Sequence, residues 1–344
     1  MIRRHYCTYF DRNYLVRGLS LISSLNRHEH DFTIFVVCLD ELTRIILTKL
    51  DLDNVVLVPL HEVEDRDTAL SAARHNRSLV EYYWTLTPSV ILYLLKKYRL
   101  EKLTYLDSDL FFYSSPDPIF QEFGDNSILI HAHRFSEKKR ALEIHGTFNV
   151  GLLVFKSDDN GLACLKWWRD RCNEWCYAVV EDGKYGDQLY LNDFPRLFKK
   201  VHILEHPGAG IAPWNHEQYR ISTDAVSGKR FVDEHELVFY HFHALKFFQP
   251  NIIYPVPYSN YDFPRKILET CYLPYLYAIH DSISMVWGVI EDYGFGLYSN
   301  WVFDAPMVAT NNLHIDIIES SLKSNQWFAL DKVWNCYNAQ YLTE

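Results

Sequence analysis

Three short apolar runs alternate with two amphipathic ones at the start of the chain, and this alternation limits the fold more than any other feature. Residues 5–10, 32–39 and 55–58 are rich in β-branched and aromatic side chains and read as strands. Between them, Leu15, Leu19, Ile22 and Leu25 fall on one helical face, and residues 42–50 form a second helical pattern. Strands joined through helices pair in parallel, with the helices covering the sheet faces. The expectation is therefore an α/β chain with a mostly parallel central sheet flanked by helices. In such sheets ligands bind beyond the carboxyl ends of the strands. The turn after the first strand, Phe10-Asp11-Arg12-Asn13-Tyr14, carries no Gly-x-Gly-x-x-Gly fingerprint, and no P-loop occurs anywhere. A nucleotide bound here would be held by another device.

A fourth strand is expected at residues 102–106, after a helix opening at Thr87-Pro88, where Thr caps and Pro suits the first helical position. It runs into Asp107-Ser108-Asp109. On a continuing strand the two aspartates would project to one side. Burying two like charges among Leu and Phe is costly unless a cation lies between them, and a divalent metal with oxygen ligands meets that need. A pair of solvated strand-end or cap residues is the alternative reading.

Further along, strands are expected at residues 127–131 and 148–155, the second with Gly151 near its start, where a bulge or close ligand approach is common. Residues 161–175 form a Trp-rich helical pattern, and Tyr185-Gly186-Asp187-Gln188 opens another helix. A Gly/Pro-rich loop at 206–215 has the backbone freedom to line a pocket. A strand at 236–240 leads into His241-Phe242-His243-Ala244-Leu245-Lys246, and helices are expected from about 264 to 291.

The chain has 344 residues and a net charge of −10, with no block of Lys and Arg, which argues against nucleic acid as a partner. An acidic protein holding an anionic nucleotide needs a metal or local dipoles. The seven cysteines are odd in number, and Cys7 and Cys38 sit inside apolar runs, which suits free thiols in a reducing compartment. Cys172 and Cys176 lack the further clustered ligands that a zinc site requires. The amino terminus reads as a strand and no apolar run reaches about 18 residues. The expected location is cytoplasmic, with peripheral contact at the inner face of the membrane left open.

In this order, Leu-Asp-Ser-Asp-Leu, Phe-Asn-Val-Gly, Gly-Asp-Gln and His-Phe-x-x-x-Lys resemble the motifs of GT-A retaining glycosyltransferases of the glycogenin and lipopolysaccharide-galactosyltransferase type. The resemblance covers roughly residues 5–250. It implies a Rossmann-like nucleotide-diphospho-sugar transferase fold and transfer of a sugar, from a UDP-sugar by expectation, to a hydroxyl acceptor such as a surface glycan. By it, Asp107, Asp109 and His241 bind Mn²⁺ or Mg²⁺ across the donor diphosphate, with His243 as the runner-up ligand. The imidazole favours Mn²⁺. Lys246 contacts the diphosphate, and Asn149 and Gly151 lie beside donor and acceptor. Asp187 holds the donor sugar while Gln188 stands by the anomeric carbon. Thr8, Asp11 and Asp40 approach the nucleoside, Ser108 lies with the metal pair, and Arg77 (or Arg74) is an anion contact. Gln188 is a poor nucleophile, so front-face attack is the expected route to retention.

Two departures stand out. The family motif His-x-x-Gly-x-x-Lys-Pro-Trp is shortened here, with Lys246 five residues after His241. Where relatives often carry an Arg ahead of the helical Pro, this chain has Trp84-Thr85. The expected division is a transferase domain at 1–250 and a mainly helical extension at 251–344 for acceptor binding or docking. Its Tyr254, Tyr258, Tyr261, Trp287, Tyr293 and Trp301 offer stacking surfaces, with core packing the plainer role. Competing readings are a sugar-nucleotide nucleotidyltransferase, against which the glycine-free first turn counts, and a non-catalytic carbohydrate-binding protein.

Overall fold

The computed structural model describes residues 3–248, 252–254, 263–290 and 328–329. In chain order the elements are β1 (Arg4–Phe10), α1 (Leu15–His28), β2 (Phe32–Cys38), α2 (Glu41–Leu50), β3 (Val55–Pro59), α3 (Leu60–Glu64), α4 (Thr68–Ala73), α5 (Leu79–Lys97), β4 (Lys102–Leu106) and β5 (Leu110–Phe112). There follow α6 (Asp117–Phe123), β6 (Ile128–Ala132), a 3-10 helix (Glu137–His145), β7 (Phe148–Lys156), α7 (Asp159–Glu174), a second 3-10 helix (Leu189–Asp193), α8 (Phe194–Leu197) and β8 (Val201–Leu204). The last are β9 (Ile221–Thr223), β10 (Arg230–Val232), β11 (His235–Glu236), β12 (Phe239–His241), β13 (Lys246–Phe248), β14 (Ile252–Tyr254), α9 (Arg265–Ile267), α10 (Leu273–Trp287) and β15 (Phe328–Ala329), a π-helical turn (Leu268–Tyr272) joining the two helices.

The central sheet has seven strands in the order β3-β2-β1-β4-β7-β6-β8. β3, β2, β1 and β4 are parallel, and β6 is parallel to β8; β7 alone runs against its neighbours β4 and β6. The mostly parallel sheet follows from the sequence pattern. Strand alternation divides the core: Tyr6 and Phe10 of β1 pack with α1, α2 and α10, whereas Cys7 faces α5 and α7 on the opposite side. Gly18 lets α1 lie flat on the sheet, because a Cβ there would stand 2.2 Å from the Phe10 ring. α10 packs on α1, with the Ser20 and Ser282 hydroxyls 3.0 Å apart, and the Tyr113 hydroxyl donates to the Cys271 carbonyl. Six cysteines, among them Cys172 and Cys176, are buried free thiols.

The expected helix start at Thr87-Pro88 is corrected. α5 begins nine residues earlier, at a capping box in which the Ser78 hydroxyl and the Glu81 carboxylate satisfy each other's backbone N–H groups. Pro88 lies inside the helix and leaves the Trp84 carbonyl without its usual donor; the Thr87 hydroxyl sits 3.1 Å from that oxygen and replaces it. The helix expected to open at Tyr185 is only the short 3-10 turn from Leu189. Tyr258, Tyr261, Tyr293 and Trp301 lie outside the described residues, and Trp287 ends α10 half-exposed.

Candidate active site

β4 stops at Leu106, and Asp107-Ser108-Asp109 forms a turn rather than a continuing strand. The Leu110 N–H donates to the Asp107 carbonyl over 3.2 Å, and the Asp107 N–H donates to the Gly151 carbonyl of β7 over 2.8 Å. The two carboxylates are thus brought together by a reversal of the chain, not by strand alternation. β5 then pairs antiparallel with β12, setting His241 opposite Leu110. The Phe242 N–H donates to the Asp109 carbonyl over 2.9 Å and locks that register. His241 Nε2 ends 3.1 Å from Asp109 Oδ1 and 3.7 Å from Asp107 Oδ2. One ligand atom from each of the three residues lies within 4.8 Å of the others.

The electrostatics fit a cation. Burial pushes Asp107 up to about 6; the His241 charge opposes that shift, and Asp109 adds to it. Burial also works against ionisation of Asp109, but the His241 charge and hydrogen bond hold its carboxyl below the ordinary range. His241 is raised: burial opposes its protonation, and Asp109 and Asp107 outweigh burial. The two partly exposed carboxylates thus favour positive charge at the point where the buried His241 ring meets them. Two hard oxygens and one imidazole nitrogen form a donor set suited to a divalent ion.

Asp187 and Gln188 stand beside this triad. The Asp187 carboxylate Oδ2 is 2.9 Å from the Thr87 hydroxyl, and its carbonyl accepts from the Trp168 indole over 2.8 Å. Burial pushes its pKa up to about 7, the Thr87 bond opposing and the Asp107 charge adding. The Gln188 amide donates to the His145 carbonyl over 3.1 Å and accepts from Asn149 Nδ2 over 3.2 Å. Asn149 in turn accepts from the Gly151 N–H over 2.8 Å and stands 3.2 Å from His133 Nε2. Gln188, Asn149, Gly151 and His241 therefore form one connected floor. His133, Thr87 and His145 are additions that sequence reasoning missed; each is remote in the chain from the motif it supports.

The other expected residues fall as follows. Thr8 is fully buried, its hydroxyl without a hydrogen-bond partner. Asp11 accepts from the Asn13 and Tyr14 N–H groups over 2.9 and 3.2 Å, closing its own turn. Asp40 caps α2, accepting from the Thr43 N–H at 2.9 Å and the Arg12 N–H at 2.7 Å. Those bonds and the Arg12 guanidinium outweigh burial and hold its carboxyl below the ordinary range. Arg77 donates to the Thr85 hydroxyl and to the Cys172 and Asn173 carbonyls at 2.7–3.0 Å, tying α5 to α7. Arg74 pairs with Glu64 at 2.9 Å. Ser108 is buried in the turn between Asp107 and Asp109. His243 lies outside the convergent triad, its ring 6.0 Å from that of His241, and burial followed by the His241 charge pushes it down to about 4. Lys246 opens β13 two residues after Ala244, which takes a left-handed backbone with φ +59°. The 206–215 loop lines the site through Trp214, 5.2 Å from the His241 ring and 5.0 Å from His133. A cleft of about 230 Å³ lies at the carboxyl ends of β2 and β3. A larger open groove of about 980 Å³, between α3, α5 and α7, shares no residue with the triad.

This sheet order with an Asp-Asp-His cluster at its carboxyl edge defines a GT-A glycosyltransferase fold. The crystal structure of the galactosyltransferase LgtC, in complex with donor and acceptor sugar analogues, shares that fold: TM-score 0.50 at 16% identity, covering 85% of this chain and all of LgtC. The chain belongs to the family of the uncharacterized protein YfnF of Bacillus subtilis (strain 168), with 35% identity over 257 residues, 72% of this chain and 84% of YfnF. The uncharacterized YfnD of the same organism is 29% identical over 296 residues, 85% of this chain and 94% of YfnD. No family model matches the chain. Among the described residues no helix is long and apolar enough to cross a membrane.

Proposed function

We propose that this chain is a metal-dependent glycosyltransferase that moves a sugar from a nucleotide-diphosphate donor, a UDP-sugar, to a hydroxyl acceptor such as a surface glycan, with retention at the anomeric carbon. The observation that carries the reading is the convergence of Asp107, Asp109 and His241 on one point, with Gln188 joined to that point through Asn149 and Gly151 and Asp187 preceding it in the chain. Asp107, Asp109 and His241 would hold Mn²⁺ or Mg²⁺, which when bound neutralises charge on a leaving diphosphate. Asp187 binds sugar hydroxyls from a site where its proton is exchangeable near neutral pH. Gln188, fixed at both ends of its amide, presents its dipole to the reacting carbon without the basicity of a nucleophile. As the bond between the anomeric carbon and the diphosphate oxygen breaks, an acceptor hydroxyl attacks from the same face and gives its proton to that departing oxygen. Lys246 stands in the segment after His241 as an additional contact to the diphosphate.

The test is turnover of a nucleotide-sugar panel, with UDP-, GDP- and dTDP-linked hexoses, measured without acceptor as slow hydrolysis in Mn²⁺ and in EDTA. Metal-dependent release of free sugar from one donor is the expected result. Release of pyrophosphate from a sugar phosphate and nucleoside triphosphate would replace this reading with nucleotidyl transfer.

A further inference from the structure

We infer that Trp84 is the sugar-stacking wall of this site and restricts the transferred group to a neutral hexose. The inference rests on the glycosyltransferase reading and adds the class of sugar. Trp84 and Thr87 lie three residues apart on one face of α5, and Thr87 touches the Asp187 carboxylate. Gly186, the residue before Asp187, has φ +51°, and a Cβ there would stand 3.1 Å from the Trp84 ring. A side chain at this position would crowd the indole, so the glycine keeps the Trp84 ring against the segment that carries the Asp187 carboxylate. Trp84 is half-buried. Tyr185 extends the surface at a centroid distance of 6.0 Å, and His145, whose carbonyl orients Gln188, meets Tyr185 at 4.6 Å. A row of half-buried rings therefore borders the two polar groups that face a sugar. A pyranose offers such a surface its C–H face while its hydroxyls reach Asp187 and Gln188, and burying that face supplies affinity.

Charge narrows the choice. Asp187 sits next to the ring row, and Asp107 is the charged side chain that perturbs it. The guanidinium nearest in sequence, Arg77, is held by Thr85, Cys172 and Asn173. Among the described residues no lysine or arginine pairs with Asp187, whose carboxylate bonds the Thr87 hydroxyl, so a uronic acid would bring its carboxylate against another, a repulsion that a neutral sugar avoids.

The experiment measures binding of UDP, UDP-glucose, UDP-galactose and UDP-glucuronate in Mn²⁺ by calorimetry, for wild type, Trp84→Leu and Trp84→Phe. Leucine keeps apolar bulk and removes the ring; phenylalanine keeps a ring, and far-UV circular dichroism checks that each variant is folded. The expected pattern is UDP affinity unchanged within about twofold in all three proteins, with at least one neutral UDP-hexose weakened about tenfold in Trp84→Leu and restored by Trp84→Phe. UDP-glucuronate binds no better than UDP. Equal weakening of UDP and UDP-hexose, no weakening of either, or tight UDP-glucuronate binding overturns the assignment of Trp84 while leaving the transferase reading standing. If neither UDP nor any of the UDP-sugars binds wild type in Mn²⁺, the UDP-sugar transferase reading fails and this inference falls with it.

Discussion

Gly151 stands directly against the imidazole of His241: a Cβ built on it would lie 2.9 Å from Nδ1 and 2.6 Å from the Asn149 side-chain oxygen. The glycine is needed because β7 passes under the ring that completes the Asp107–Asp109 pair. Gly151→Ala should move His241, Asn149 or both. Overpacking of this kind costs about 1–3 kcal/mol, and a displaced ligand support weakens metal binding about 10–100-fold. Thermal melts with and without Mn²⁺ separate the two effects. A variant that melts lower but keeps the full Mn²⁺-induced shift would show that the ring tolerates the methyl.

Asp109→Ala should abolish donor turnover and leave the chain folded. The variant loses the carboxylate nearest His241 and one of three converging ligands. Loss of several kcal/mol of charge stabilisation corresponds to a fall of at least about a thousandfold. The fold survives because Asp109 lies on a turn whose backbone bonds, from Phe242 to its own carbonyl and from Leu110 to the Asp107 carbonyl, do not use the carboxylate. Turnover near the wild-type rate in Mn²⁺ would remove Asp109 from the site.

The scaffold was more legible than the mechanism of its assembly. Apolar alternation marked β1, β2, β3 and β4 because each buries side chains on both faces of the sheet, and a parallel sheet leaves that trace locally. Asp107, Asp109 and His241 were found by motif order, but the assumed geometry was a strand, and the chain instead reverses there. Nothing local distinguishes these cases, since the β5–β12 register joins segments about 130 residues apart. Pro88 misled for a related reason. Proline is favoured at a helix start, and only the three-dimensional position of Thr87 shows how its missing donor is replaced. Arg77 has the sequence character of an anion contact, yet the carbonyls that occupy it belong to α7, a partner invisible from position 77.

Asp187 should make stability depend on pH. Its folded pKa, about 7, lies above the ordinary value of 3.8. The folded chain therefore binds that proton more tightly than the unfolded one. The contribution is fully present below the unfolded value and is lost as pH rises through about 7. The full shift corresponds to at most about 4 kcal/mol. In EDTA, urea unfolding of wild type should lose stability relative to Asp187→Asn between pH 5 and pH 8. Parallel curves for the two proteins would mean that Asp187 is ionised throughout.

Thr87 couples the helix to the site, and Thr87→Val tests that coupling with little change in side-chain volume. At low pH a protonated Asp187 can donate to the Thr87 hydroxyl, which in turn donates to the Trp84 carbonyl 3.1 Å away. At high pH the hydroxyl turns to the carboxylate, and the Tyr9 hydroxyl, 2.9 Å from Thr87 and 2.8 Å from the Tyr83 carbonyl, remains on the helix backbone. Valine supplies neither bond. It leaves a buried acceptor unsatisfied at either pH, a loss of about 1–3 kcal/mol. The loss should be larger at pH 8, because the acceptor left bare is then a carboxylate, and because the Thr87 bond is what opposes the upward shift of Asp187. Urea unfolding of Thr87→Val and wild type at both pH values reads this directly. A penalty independent of pH would place the role of Thr87 wholly in repairing the helix at Pro88.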